Sequence, residues 1–225
     1  MKSKRAAGDA LSRDAVIERA MQLADAEGLD AVTIRRLGQE FGVTPMALYW
    51  HVKNKDELLD AMGDRLFAGL RYDTARDAPW DEQLRAVTHG LAEALRSHPA
   101  CVDLAFRRVF YAPEGRAAAE HAFGVLRQAG FSSRQTADIA THALQTAIML
   151  VRSEPGAEPG FTPEQVLERR TQKRAYLETL PAADYPYIRE LADDLLDCDD
   201  TAAYYAFGID VFVAGARSML SPAAV

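Results

Sequence analysis

Two cysteines, Cys101 and Cys198, are all that the 225 residues contain. So few thiols, so far apart, exclude a disulfide framework and a Cys-x-x-Cys metal knuckle. They read as reduced thiols of a cytosolic, cytoplasmic protein. The 5 histidines stand at 51, 89, 98, 121 and 142. Only His98-x-x-Cys101 has a ligand-like spacing, and Pro99 breaks it, so no metal is expected. No apolar run reaches the 18 or so residues of a membrane span, so no membrane partner is expected. The opening MKSKRAAGDALSR is basic and polar with no apolar stretch behind it, which predicts no signal peptide. GxSxG, HExxH and GxxxxGK patterns are missing. The carboxylate pairs Asp193/Asp194 and Asp199/Asp200 fall where one helix ends and another begins, the second pair serving as N-terminal charge for the last helix. No catalytic residue and no cofactor is expected; the chain does not read as an enzyme. Strand alternation and internal repeats are missing too.

What remains is helix. Ser12 precedes an apolar stripe at Val16, Ile17, Ala20, Leu23 and Ala24 that stops at Gly28, a capped helix with a glycine end. Thr33 caps Ile34 to Phe41, where Leu37 and Phe41 share a face, and Gly42 ends it. Thr44 caps a third helix with Pro45 at its first position. Asn54 and Glu57 form a capping pair for a fourth, carrying Leu58, Leu59, Met62, Leu66 and Phe67. The polar stretch RYDTARDAPW after Leu70 marks a domain boundary. Beyond it helices are predicted over about 80–97, 101–111, 115–129, 133–151, 163–179, 186–197 and 201–219. Residues 153–163, SEPGAEPGFTP, read as a surface loop.

The formal net charge is −7, which by itself speaks against a nucleic-acid partner. The distribution speaks the other way. Residues 1–71 hold 11 Lys/Arg and 11 Asp/Glu, whereas the rest hold 15 and 22. Cations gather at Lys2, Lys4, Arg5, Arg35, Arg36, Lys53 and Lys55. A locally basic end on an acidic body fits a binding module joined to a regulatory domain.

The second and third helices are short and separated only by a Gly-containing turn, the spacing of a helix-turn-helix; an ordinary tight corner of a bundle has the same spacing. The stretch TPMALYWHVKNK (44–55) then sets Tyr49, Trp50 and His51 side by side. Such a triplet cannot all face a core, so at least one ring is exposed beside lysines. Leu37, Phe41, Val43 and Leu48 read as core, and Trp50 either packs the domain or lies against a sugar-phosphate backbone.

TIRRLGQEFGVTPMALYWHVKNKDELLDAM (33–62), preceded by AMQLADAEGLDAV, resembles the N-terminal DNA-binding domain of the TetR family of bacterial one-component regulators. The resemblance covers roughly 12–67; beyond it the likeness lies in length, helical content and a helix ending QAGF (128–131). It implies an all-α protein: a flexible basic arm (1–11), a three-helix helix-turn-helix DNA-binding domain (12–70) and a larger helical ligand-binding and dimerisation domain (71–225). Arg35, Pro45, Ala47, Tyr49, Trp50, His51 and Lys55 fall at positions that touch the operator in the family. Thr44, Met46 and Lys53 complete the candidate set. Lys53 and Lys55 suit phosphates, Lys55 helped by the N-terminus of the fourth helix, and Arg35 suits a guanine edge. Ile34, Pro45, Met46 and Ala47 stand where the family's base-reading positions are polar, so the operator must differ.

The resemblance further implies a homodimer on palindromic double-stranded operator DNA, a dimer seam made by 133–151 and 201–219 with Ala147 and Phe212 within it, and a cavity for a small-molecule effector. The last helix is apolar on nearly every side, which predicts burial on all sides, in a seam or at the centre of its own subunit. Candidate ligand-binding residues are Phe106, Phe110, Phe123, Met149 and Tyr176 for apolar contact, with Arg107, His121, His142, Gln145 and Thr146 for hydrogen bonding. A buried His or Gln needs a partner, either inside the protein or on a ligand. The function implied is a repressor released by a small, mostly apolar effector. A ligand-insensitive regulator or activator, or a small-molecule-binding helical protein without promoter control, are the alternatives.

Overall fold

Ser12 opens the first helix by accepting a hydrogen bond from the Ala15 N–H at 3.1 Å. This helix, α1 (Arg13–Glu27), buries the stripe Val16, Ile17, Ala20, Leu23 and Ala24 together with Met21 and ends at Gly28. The computed structural model describes residues 11–75, 77–155, 161–196 and 200–220. The basic arm up to residue 10, residues 156–160 of the proline-rich stretch, and Cys198 with Asp199 lie outside the described residues.

After α1 come α2 (Ile34–Phe41), α3 (Pro45–Leu48) and α4 (Lys55–Ala68). Thr33 caps α2 through the Arg36 N–H, at 3.1 Å. Gly42 ends it at φ 67°, a left-handed conformation that costs other residues about 1–2 kcal/mol. Asn54 caps α4 through the Glu57 N–H at 2.8 Å. Glu57 reaches back to the Lys53 N–H, also at 2.8 Å, so the pair closes the helix entrance from both sides.

The larger half consists of α5 (Trp80–Arg96), α6 (Ala105–Arg108), α7 (Pro113–Gln128), α8 (Ser133–Arg152), α9 (Pro163–Thr179), α10 (Pro186–Glu190), α11 (Ala192–Leu196) and α12 (Thr201–Ser218). No strand occurs among the described residues. Asp200 caps α12 through the Ala203 N–H at 2.9 Å. Two expected helices are broken. Pro99–Leu104 winds as a 3-10 turn before the four-residue α6, because Cys101, Val102 and Leu104 must turn inward together. The stretch 186–197 divides at Leu191 into α10 and α11.

α5 lies along α8, with α7 and α12 on its flanks, while α9, α10 and α11 pack mainly on one another. One hydrophobic core runs without interruption from Val16 and Leu37 at the N-terminal end, through Met62, Leu66 and Phe67 of α4, to Leu95, Ala147 and Tyr205. A second, smaller cluster at the far end joins Leu84, Leu126, Phe131, Ile139 and Ala216. No helix of the described residues is long and apolar enough to cross a membrane.

Inside one chain, α12 is not buried on all sides. Tyr205, Ile209, Val213 and Ala216 face inward. Phe207 is 72% exposed and Val211 58%. Ala147 is fully buried in the chain's own core, and Phe212 packs against the second cluster. The open face of α12 is therefore the one carrying Phe207 and Val211, not the side of Phe212.

Candidate functional site

The N-terminal end presents a corner whose angle is set by glycine. Gly38 is buried in α2, and a Cβ there would meet the Val43 carbonyl oxygen at 3.1 Å. The backbones approach closely enough for the Val43 N–H to donate to the Gly38 carbonyl at 2.9 Å. This lets α3 cross tightly over α2. Leu37, Leu48 and Val52 are fully buried and hold the corner, with Phe41 and Val43 packed at its edge.

The same turn pushes the other side chains out. Met46 is 69% exposed and Trp50 87%, so the indole does not pack the domain together. Tyr49 is also exposed, while His51 is half-buried. Thr44 starts α3 without a side-chain capping bond, and Pro45 occupies its first position.

Charge pairing separates two adjacent arginines. Arg36 is tied down by Glu27 at 2.7 Å and Glu40 at 2.9 Å. Among the described residues Arg35 makes no salt bridge, and neither do Lys53 and Lys55. Hydrogen bonding from the Lys53 N–H, with help from Arg13, holds the Glu57 carboxyl below its ordinary range. Lys55 stands at the first position of α4, the positive end of that helix, where a cation is unfavourable unless an anion joins it. Arg35, Thr44, Pro45, Met46, Tyr49, Trp50, Lys53 and Lys55 are all exposed. Ala47 and His51 are partly covered.

Behind this face, α4 is gripped by the larger half. The Arg108 guanidinium forks onto Asp64, with contacts of 2.8 and 2.9 Å, and reaches Asp60 at 3.1 Å. Its stem fills the space over Gly63, where a Cβ would meet Arg108 Cγ at 2.6 Å. On the other flank, Asp25 of α1 accepts from the Ala100 N–H at 3.2 Å and pairs with His98 Nδ1 at 2.7 Å. His98 is thus engaged by Asp25, and the buried Cys101 thiol has its pKa pushed up to about 12 by burial, with the Asp25 charge adding to the effect.

The larger half contains an apolar cavity between α5, α6, α7 and α8, holding about 640 Å³ of empty space with its mouth included. Phe106, Phe110 and Phe123 line it together, with Val87, Leu91, Val109 and Leu144. Gly115, Ala118, Ala119 and Ala122 of α7 face Ala140, Thr141 and Ala143 of α8, and among the described lining residues Thr141 supplies the sole hydroxyl. No charged side chain is among the described residues that line it.

The remaining sequence candidates lie elsewhere. His142, Gln145, Thr146 and Met149 form a shallow groove on the outer side of α8, with Leu150, Ser153 and Tyr204. Arg107 is exposed on α6 and Tyr176 on α9. His121 stacks on Tyr72, ring centroids 5.3 Å apart, and its Nε2 is buried without a partner. The alanines of the cavity left only a faint signal in the sequence, small residues at 115, 118, 119 and 122. They share one helical face, and smallness there leaves space opposite the phenylalanines.

A helix-turn-helix with a bare, partly cationic outer face, fixed to an all-helical half with an apolar cavity, is the architecture of a DNA-binding transcription regulator. The family described as "Bacterial regulatory proteins, tetR family" matches residues 16–62, and "Tetracyclin repressor-like, C-terminal domain" matches residues 74–220. The chain belongs to the TetR family of bacterial transcription regulators. The likeness is therefore not confined to the N-terminal end, where residue-by-residue resemblance is most legible. The tetracycline repressor of class D from Escherichia coli is 45% identical, but over 58 residues, 26% of this chain and 27% of the repressor. The HTH-type transcriptional repressor DrrR1 of Streptomyces coeruleorubidus is 27% identical over 222 residues, 94% of this chain and 79% of its own length. The crystal structure of ActR from Streptomyces coelicolor in complex with actinorhodin superposes with a TM-score of 0.73 at 27% identity, covering 93% of this chain and 98% of ActR.

Proposed function

We propose that this chain is a repressor that binds a palindromic operator as a homodimer and lets it go when a small, mostly apolar effector enters the cavity. One observation carries the reading. The short helix α6 lines the cavity with Phe106 on one side and grips α4 with Arg108 on the other. A molecule that presses on the cavity wall therefore presses on the helix that follows the recognition turn.

The DNA contact falls to the exposed set. Lys53 and Lys55 neutralise phosphates, Lys55 sharing its phosphate with the N-terminus of α4. Tyr49, Trp50 and His51 lie along the backbone, and Arg35, free of ion pairs, reaches a base edge. Two copies joined along α8 and α12 cover Phe207, Val211 and Met149 and set two recognition helices about 34–36 Å apart, one turn of duplex. The effector class follows from the lining. Three phenylalanine rings, a bed of alanines and one hydroxyl suit a flat, largely uncharged aromatic body, in keeping with the actinorhodin seen in ActR. His142, Thr146 and Tyr176 lie away from this cavity, whereas Gln145 and Met149 share a neighbouring groove with Phe106 of its wall.

The test starts from a random-sequence duplex library, from which the protein should select an inverted repeat whose binding falls steeply with salt. Aromatic compounds, actinorhodin among them, are then titrated into the complex. Release at concentrations that saturate the free protein supports the reading. Failure to select any duplex defeats the operator role. A compound that binds free and operator-bound protein equally cannot be an inducer.

A further inference from the structure

The outward surface of α3 is unusual for a helix that meets base edges. Pro45 has no N–H to offer, Met46 is 69% exposed, and Ala47 carries only a methyl group. Leu48 is fully buried. Between Thr44 and the Tyr49 hydroxyl no side chain on this turn can donate or accept a conventional hydrogen bond. Met46 is the long side chain that this turn leaves open.

The major groove shows donors and acceptors at every base, and one apolar feature, the C5 methyl of thymine. An apolar side chain pressed on guanine O6, cytosine N4 or adenine N6 strips water from a polar group and returns no bond, a loss of roughly 5- to 100-fold in affinity. Pressed on a thymine methyl, it buries carbon against carbon. Gain at one base and penalty at the others act in the same direction. Resting on the operator-binding reading above, we infer that α3 reads thymine: Met46, flanked by Pro45 and Ala47, packs on the C5 methyls of at least two thymines in each half-site. Arg35 on α2 remains the hydrogen-bonding reader at a neighbouring position.

The experiment uses the full chain and the duplex it selects from a random library. Each thymine is replaced in turn by deoxyuridine, which removes the C5 methyl and keeps every hydrogen-bonding group. One buried methyl is worth about fourfold in affinity, or about 0.8 kcal/mol. Two or more positions per half-site should each lose about fourfold, and substitution of all of them in both halves should lose 100-fold or more. Met46→Ala, a change at an exposed side chain that circular dichroism will show to be folded, should make the thymine beneath it indifferent to uracil. Selected half-sites with guanine or cytosine beneath α3 would overturn the inference. So would full uracil substitution without effect, or a uracil effect that Met46→Ala leaves intact at every position. Failure to select any duplex is a different result: it removes the operator reading and this inference with it.

Discussion

Arg108→Leu isolates the link between the two ends of the molecule. The guanidinium is 17% exposed and makes two parallel bonds to Asp64 and a third contact to Asp60, over the Tyr111 ring at 4.7 Å. Charge-assisted bonds of this kind contribute about 1.5–3 kcal/mol each when shielded. Asp64 is 38% exposed and Asp60 45%, so solvent screening reduces the whole set to about 1–2 kcal/mol. Leucine keeps part of the stem that packs over Gly63 and removes the fork. Two measurements follow. Thermal stability should fall by about 1–2 kcal/mol, a few degrees in Tm for a chain of this size. The ratio of operator Kd with and without saturating effector should shrink by about 5- to 30-fold, the same energy expressed as lost coupling. Effector affinity for the free protein, by calorimetry, should stay within about twofold, and Arg108→Lys should fall between the two. Anisotropy titrations in which the leucine variant melts lower yet releases operator as completely as the parent would refute the coupling role and leave Arg108 a structural residue.

Phe207→Asp or Val211→Asp should give folded monomers in sedimentation and abolish operator binding, whereas Ala147→Asp, at a fully buried position, should unfold the chain. Trp50→Ala should leave stability within about 0.5 kcal/mol, because the indole is 87% exposed, yet weaken binding to all duplexes. Lys55→Ala should lower the slope of log Kd against log salt by about 1 in the same gel-shift series. Glu154 accepts from Arg96 at 2.7 and 2.9 Å and from the Tyr205 hydroxyl at 2.7 Å, and the Arg96 contact above all holds its carboxyl below the ordinary range. A depressed carboxyl stabilises the fold above its unfolded pKa, and that stability is lost as pH falls through the folded value. Glu154→Gln should therefore cost stability near pH 7 and flatten the acid limb of a pH–stability curve.

Helix starts and stops were legible because their signals are local. Ser12, Thr33 and Asn54 each cap a helix through a bond within three residues, as their positions predict, whereas Thr44 makes no such bond. The divided stretches were not. Pro99–Leu104 takes its shape from packing against α1, α4 and α8, elements distant in sequence. The exposed recognition face was foreseeable, since Tyr49, Trp50 and His51 cannot all turn inward. The cavity was legible in half: bulky Phe106, Phe110 and Phe123 announce themselves, while the alanines opposite matter for the volume they leave empty. His142, Gln145 and Met149 do share a face, as their spacing demands. Spacing fixes which residues are neighbours; only the packing of α8 against α5 decides that this face looks outward.

The uninterrupted core from Val16 to Tyr205 has a consequence for modularity. Met62, Leu66 and Phe67 belong at once to the end that meets DNA and to the end that holds the cavity, so unfolding of either end strips the other of part of its core. Heating should produce a single calorimetric transition, and a fragment ending near residue 70 should not hold its shape, since its fourth helix would expose its inner side to water. A molecule lodged among the phenylalanines should then protect amides of α2 and α3 from hydrogen exchange, although it touches neither. Exchanging recognition ends between relatives would require moving the surface beneath α4 with them, and the natural seam for such a graft lies on the far side of Arg108.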